Sequence, residues 1–450
     1  MYRVEFDEWK LLLEAGKLRT VAQELSSINE ADVADFLEEV SPTQTVLLFR
    51  LFEKDRAAAV FSFLDSERRT SVVRSFTDSD LGALVDELYL DDAADFLEEL
   101  PAGLVKRVLK AASGSTRDAL NRLLNYPEDS TGSIMTAEYI DLRESITAEA
   151  ALERVRKLGL DSETAFVCYC TDETRHLIGV LDLLDLLYAD SSATVGEIMN
   201  RNVIFARTTD DREAAAQLIS KYDFLALPVV DKEERLVGIV TFDDAMDVVT
   251  EEATEDIERM AALLPSDTTY LKTSVFAMYR NRILWLLFLM FSGMISGFVL
   301  GGYEAVLAAL PLLVTFTPML TGTGGNAGAQ SATLVIRGMS LSQIEMKHWL
   351  QVLWKEVRVG FLVGLTLGAF NYARVLLFYP GEPQRAEIAL VLAISVLLTV
   401  VLSKSVGCLL PIAAHRVGLD PAVMASPLVT TIVDSLSLLI FLSIASAVLV

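Results

Sequence analysis

Asp434 is the only charge in the apolar run 422–449. A carboxylate near the middle of such a run is too short to reach a membrane interface, so it must face water, a cation or a base. Thr430 lies one helical turn before it, with Pro427 and Ser426 a turn earlier still, so Thr430 shares its face. One carboxylate neutralises a divalent ion poorly. A two-fold dimer, the commonest assembly, brings a second Asp434 to the same axis. Hard cations take oxygen ligands, and small ones keep several of their waters. Paired carboxylates, the Asn326 amide and backbone carbonyls from Gly324 and Gly325 would make a wide site for such a hydrated ion.

A second group of residues suited to cations runs from Asp243 to Glu258, with eight acids and no base. Asp243, Asp247, Glu251 and Glu255 step by four and form one row on a helix; Glu252 and Asp256 form another. Like charges at that spacing cost a helix about 0.2–0.5 kcal/mol per pair. Either cations supply the missing charge, or the segment is a long solvated connector.

The third stretch is Thr321-Gly322-Thr323-Gly324-Gly325-Asn326-Ala327-Gly328-Ala329-Gln330-Ser331, inside an uncharged run over 305–336 that also holds Pro311 and Pro318. It is too polar to face lipid. The expectation is a broken membrane helix, since irregular backbone at membrane depth is tolerated only beside protein or water and marks transport sites. The same glycines would also serve a tight turn or a packing contact. Lys404, between Ser403 and Ser405, is the other ionisable group within the spans; its stem is expected to snorkel to the interface in an orienting or lipid-facing role.

These residues need elements to hold them. From Arg282 onward the chain carries 9 Lys/Arg against 7 Asp/Glu, and before it 29 against 55. An acidic first part excludes nucleic acid and anionic lipid surfaces as partners. The apolar part divides into five spans, about 283–302, 305–336 (interrupted), 359–379, 388–410 and 422–449. Arg280, Arg282, Arg337, Lys347, Lys355, Arg358 and Arg416 fall at one side of them, which makes that side and the amino terminus cytoplasmic and leaves the carboxyl terminus outside. No secretory signal is legible at the amino end. Gly293, Gly297 and Gly301, and again Gly360, Gly364 and Gly368, step by four and predict close helix contacts.

Residues 1–128 read as short helices. Asp32 to Glu39 (DVADFLEE) returns 60 residues later as Asp92 to Glu99 (DAADFLEE), with Ala57 to Leu64 a looser copy. Such units stack as a solenoid, because none buries its own apolar face. From Ser133 the pattern changes to strands and helices in two copies. Ile134-Met135-Thr136 is echoed by Ile198-Met199-Asn200, and Leu177 to Leu181 by Leu236 to Val240. The strands are placed at 166–170 and 178–181, then 226–230 and 237–240. Cys168, Cys170 and Cys408 show no metal or disulfide spacing, and Cys168 and Cys170, alternating along a strand, read as small core residues.

The two copies resemble tandem cystathionine-β-synthase (CBS) domains, through Leu227-Pro228-Val229-Val230-Asp231 and Gly238-Ile239-Val240-Thr241-Phe242-Asp243-Asp244. The resemblance implies an adenine-nucleotide cleft, such as ATP occupies, with Thr241 and Asp244 at the ribose and phosphate contacts; the first copy has Asp182 where the second has Thr241. The whole order, with Gly322-Thr323-Gly324-Gly325-Asn326-Ala327-Gly328-Ala329-Gln330-Ser331-Ala332-Thr333-Leu334, resembles the MgtE family of magnesium channels.

That resemblance implies an amino-terminal all-α helical solenoid (1–128), an α/β tandem CBS pair (129–249), an acidic connecting or plug helix (250–281) and an all-α five-helix transmembrane pore domain (282–450). It implies a non-enzymatic homodimer in the plasma membrane that imports Mg2+ and is closed by intracellular Mg2+. Asp434 would hold the ion, with Gly325, Asn326, Ser426 and Thr430 lining the pore. Asp91, Asp95, Asp223, Asp244, Asp247, Glu252, Glu255, Asp256 and Asp420 would hold regulatory metal. Ala329 and Ser426 depart from the family pattern, which has asparagines there. Other readings are a carrier of manganese, cobalt or calcium, or a membrane-anchored nucleotide sensor. A chloride channel would place its CBS pair after the spans, and an intramembrane protease would need a second catalytic acid.

Overall fold

The computed structural model describes residues 3–159, 162–265, 270, 273–424 and 426–449. It forms two compact units, Met1–Thr250 and Glu251–Val450.

In the first unit ten helices run from Arg3–Glu14 (α1) to Gly114–Leu123 (α10) among the described residues. Each is only two or three turns long, too short to stand alone in water, and packs on its next-but-one neighbour as a solenoid does. Side-chain caps set the starts: Asn29 accepts from Ala31 N, and Ser41 and Gln44 form a capping box. The repeated motif lies on Glu30–Glu39 (α3) and Leu90–Glu99 (α8). Its phenylalanines, Phe36 and Phe96, and Phe61 of the looser copy are fully buried. Phe61 and Phe96 meet edge to face at 4.9 Å. The repeat in the sequence is therefore a repeat of core positions; of its acids, Asp35, Glu39, Asp95, Glu98 and Glu99 are exposed, and Asp32, Glu38 and Asp92 are half-buried.

The two α/β copies follow. The first holds Ile140–Arg143 (β1), Ala148–Leu158 (α11), Val167–Thr171 (β2), Leu177–Asp182 (β3), Leu183–Tyr188 (α12) and Val195–Ile198 (α13). The second holds Ala206–Arg207 (β4), Arg212–Tyr222 (α14), Ala226–Val230 (β5), Leu236–Thr241 (β6) and Phe242–Met260 (α15). Each sheet has a parallel and an antiparallel pair, in the orders β1-β2-β3 and β4-β5-β6. The hairpins lie where the alternation predicts them. β1 and β4, of four and two residues, are added by pairing with β2 and β5 and carry too little pattern to be read alone.

The Met echo has a packing reason. A Cβ on Gly238 would meet Met135 Sδ and Thr136 O, both at 2.7 Å, and one on Gly179 would strike the Met199 side chain. Each hairpin glycine thus admits one copy of the Met motif. Thr136 exchanges backbone hydrogen bonds with Ile239, and Asn200 with Val180. Cys168 and Cys170 are buried on β2, and burial pushes both thiols up to about 12, so they stay protonated core groups.

The second unit holds Val275–Gly302 (α16), Glu304–Ala309 (α17), a 3₁₀ turn at Pro311–Phe316, Thr317–Ser340 (α18), Trp349–Phe378 (α19), Arg385–Arg416 (α20) and Ser426–Leu449 (α21). Among the described residues, four segments are long and apolar enough to cross a membrane: Val275–Gly302, Met346–Phe378, Arg385–Arg416 and Pro421–Leu449. α18 has 24 residues, about 36 Å of helix, and is less apolar.

The stretch 321–331 corrects the sequence reading. It is continuous α-helix within α18, and the break comes earlier, at the turn opened by Pro311, with Pro318 in the first turn of α18. The glycines serve close packing instead. A Cβ on Gly324 would lie 2.8 Å from Ser437 Oγ and 2.9 Å from a Val433 methyl; one on Gly325 would lie 2.8 Å from Thr430, and one on Gly328 2.7 Å from Val429. Gly407 of α20 packs directly against the Gly328 carbonyl. Glycine in a helix costs about 1 kcal/mol against alanine, and here that loss is offset by contact with α21 and α20. Gly360, Gly364 and Gly368 lie against Val401, Leu397 and Ala393 of α20, as their spacing predicts. A Cβ on Gly293, Gly297 or Gly301 of α16 would meet nothing within 4 Å among the described residues.

Candidate functional site

Three groups of residues can hold a cation, two in the second unit and one in the first. The first is Asp434 on α21. Its Oδ1 is buried and has no hydrogen-bond partner among the described residues. An unsatisfied buried carboxylate oxygen is costly, and a cation is the partner its chemistry asks for. Thr430 lies one turn earlier, against Gly325. Asn326 is exposed on α18, between the buried Gly325 and Ala327. Because α18 is continuous, the Gly324 and Gly325 carbonyls belong to its i to i+4 ladder; the sequence expectation that they coordinate an ion is corrected. Ser426 opens α21, and its side chain lies outside the described residues.

Lys404 does not snorkel. It is 4% exposed, and its Nζ donates to Ser331 Oγ at 3.1 Å and lies 3.4 Å from Glu356 Oε2. Ser331 Oγ donates to the same Glu356 oxygen at 2.5 Å. Asp434 is therefore not the only acid within the spans, because α19 begins at Trp349 and carries Glu356 into the unit. Treating the span as starting at 359 left Glu356 outside it.

The second group is the end of α15 in the second unit. Ser340 at the end of α18 donates to Asp256 Oδ2 at 2.9 Å. Burial raises the Asp256 carboxyl above its usual range. Arg259 is ion-paired with Glu255 on its own helix and with Asp420 on the link into α21. Met260 packs against the cluster of Ala332, Ile336, Ala422, Val429 and Val433. The acidic run therefore has a base, Arg259, one residue beyond its last acid. Sequence reasoning placed Glu255, Asp256 and Asp420 among metal ligands, and the fold gathers them around this arginine. Glu252 adds its negative charge near the same guanidinium.

The third group is in the first unit. One carboxylate oxygen each from Asp91 on α8, Glu138 after Met135-Thr136, and Glu163 before β2 lie within 4.8 Å of one another. Glu138 Oε2 accepts from Leu90 N at 3.0 Å and from Thr136 Oγ1 at 3.1 Å. Glu163 Oε2 is buried with no hydrogen-bond partner among the described residues. Burial, with Asp244 and Glu163 next, raises Asp91 well above the carboxylate range. Burial and then Asp244 push Glu163 up to about 8. Burial raises Asp244 to about 6, although it accepts from Thr241 Oγ1 at 2.5 Å. Asp92, Glu138 and Asp247 are raised as well, burial first. Burial is the first cause at each of these groups, and repulsion from neighbouring acids adds to it at Asp91, Glu163 and Asp244. Glu138 and Glu163 escaped the sequence reading, because each stands singly in a loop and carries no spacing signal. Asp95, one turn beyond Asp91, is on the exposed side of α8, and Asp223 caps α14 in left-handed backbone (φ 54°), also exposed.

Comparison with known proteins follows the same divisions. The family model described as a divalent cation transporter matches residues 317–444, the MgtE intracellular N domain 28–129, and the CBS domain 195–251. The chain is 38% identical over 441 residues to the magnesium transporter MgtE of Thermus thermophilus, covering 97% of each chain. It is 33% identical to that of Bacillus subtilis, covering 97% of this chain and 96% of the relative. A crystal structure of the cytosolic domain of the Mg2+ channel MgtE in complex with ATP matches 54% of this chain and 99% of its own, with TM-score 0.52 and 37% identity. The soluble part of a magnesium transporter matches 56% of this chain and 100% of its own, with TM-score 0.53 and 26% identity.

Proposed function

The chain belongs to the MgtE family of magnesium transporters, and from that premise we propose that it is a homodimeric Mg2+ channel of the plasma membrane. It imports the ion and is closed by Mg2+ on the cytoplasmic side. The observation that carries the reading is the buried, unpartnered Oδ1 of Asp434 in mid-span. Two such carboxylates on a dimer axis, with Thr430 and Asn326 offering further oxygens, bind an ion that keeps most of its waters. Gly325, packed on Thr430, sets how closely α18 approaches α21 there, and Ser426 opens the same helix. The unpartnered glycine row of α16 supports a helix contact outside the chain, and α18 would be the fifth membrane helix.

The functional divisions are the solenoid over 1–128, the CBS pair over 129–249, the plug segment over 250–281 and the pore over 282–450. Closure follows from charge. Asp91 with Glu138 and Glu163 would take one cation, and Asp244 and Asp247 at the start of α15 bias its place. Asp95 and Asp223 lie on exposed faces where further ions can bridge to other acids. Glu252, Glu255, Asp256 and Asp420 surround the docked end of α15. Several weak sites together supply the roughly 5.5 kcal/mol needed to swing a two-state gate from open to closed. The cleft beside Thr241 and Asp244 would take an adenine nucleotide such as ATP, the molecule with which the similar MgtE cytosolic domain was crystallised.

Transport of manganese, cobalt or calcium is the second reading, favoured by the broader description of the matching family model. Flux into proteoliposomes with each divalent cation in turn separates the two. Mg2+ flux that survives excess calcium supports the first; flux of another ion in preference to Mg2+ overturns it.

A further inference from the structure

Glu356 and Lys404 form a buried ion pair within the second unit. Their side chains are 13% and 5% exposed. Replacing such a pair by apolar groups is commonly neutral or stabilising, so it is poorly explained as a source of stability. What it adds is geometry. Glu356 comes from α19, Lys404 from α20 and the bridging Ser331 from α18, so three helices must hold one register for the three groups to meet. Gly360 brings α19 close to α20 beside the pair: a Cβ there would lie 3.1 Å from Val401 Cα. Ser331 is fully buried and follows Gly328 by about one turn, and Gly328 rests on Val429 of α21.

We infer that the Glu356–Lys404 pair, bridged by Ser331, is a clasp that sets the height of α18 against α21. It acts as a positioning device for the ion path past Asn326, Thr430 and Asp434. The inference rests on the reading of Asp434 as the ion site.

The test compares wild type, Lys404→Met, Glu356→Gln, the double variant and Ser331→Ala as full-length protein in proteoliposomes, measuring Mg2+ flux against Mg2+ concentration together with thermal unfolding. An ångström of misplacement can cost a factor of about 100 in a positioned site, so each single charge variant is expected to lose at least about tenfold in maximal flux. The double variant, with no unpaired charge, is expected to recover flux above either single variant. Single variants within about twofold of wild type, or a double variant no better than the worse single, would overturn the clasp.

If the single variants fail to accumulate, Ser331→Ala decides, because it keeps both charges and cuts only the link to α18. It is expected to unfold at the wild-type temperature yet lose flux about fivefold. Wild-type flux from it overturns the clasp. Asp434→Asn in parallel separates the two readings. Full flux from Asp434→Asn removes the ion-site reading, and the clasp then stands or falls on non-additive unfolding temperatures of the charge variants.

Discussion

Arg259 is ion-paired with Asp420, 161 residues further along the chain. The same guanidinium holds Glu255, one turn earlier on α15. The end of the acidic helix is thus fixed to the link into α21 by a cation belonging to the chain, among the very acids expected to bind metal. The pair is about one-third exposed, which limits its strength.

Arg259→Gln should therefore loosen the docked end of α15 when divalent cations are absent. The pair contributes on the order of 1 kcal/mol, so proteolysis between α15 and α16 in chelator should be about fivefold faster than in wild type. High salt should narrow the difference. Equal rates would remove any role for the arginine in docking.

Glu255→Gln with Asp256→Asn should give a channel that stays conducting at high internal Mg2+. Loss of one coupled site should move the closing concentration upward by about tenfold. It should also remove Mg2+-dependent protease protection of the chain after α15. Closure at the wild-type concentration would reduce the cluster to a solvated face.

Asp434→Asn should abolish or strongly reduce divalent flux while the protein still assembles as in wild type. Light scattering in detergent checks the assembly and proteoliposome flux checks the site. Undiminished flux would require another ion site.

Glu163 at about 8 and Asp244 at about 6 both lie above the ordinary carboxylate range, so the folded chain holds protons that the unfolded chain releases. Metal-free stability from these two groups is then fully present in acid and falls as pH rises through the window from 3.8 to about 8. Mg2+ competes with those protons, so the gain in unfolding temperature on adding Mg2+ should grow across the same window. Glu163→Gln should flatten the metal-free slope and shrink the Mg2+ gain near pH 8. A metal-free unfolding temperature that climbs from pH 5 to 8 would contradict the cluster.

Gly407→Ala should be poorly tolerated, because its methyl would strike the Gly328 carbonyl of α18. Overpacking of this kind costs about 1–3 kcal/mol, read as a lower unfolding temperature. Gly293→Ala meets no atom within the chain. It should leave the unfolding of a single chain unchanged and show itself in light scattering, if that row is a contact between chains.

Local pattern was enough for much of this protein. The repeat around Phe36 and Phe96 and the paired hairpins with their Met motifs are periodicities of two, 3.6 or about 60 residues, and the apolar runs and the place of Asp434 are legible from composition along the chain. Such signals survive in the sequence because each element must present one face to a core. The family resemblance was carried by residues within single stretches, from Thr241-Phe242-Asp243-Asp244 to Gly324-Gly325-Asn326. Tertiary structure alone decided the rest. Whether Thr321 to Ser331 breaks a helix or packs one depends on Thr430, Val433 and Ser437, more than a hundred residues away. Lys404 was read as reaching for the interface because its partner, Glu356, lies on another helix. Asp91, Glu138 and Glu163 come from three separate segments, and a carboxylate in a loop has no period. Charge pairing and close contact are properties of neighbours in space, and a sequence orders neighbours only along the chain.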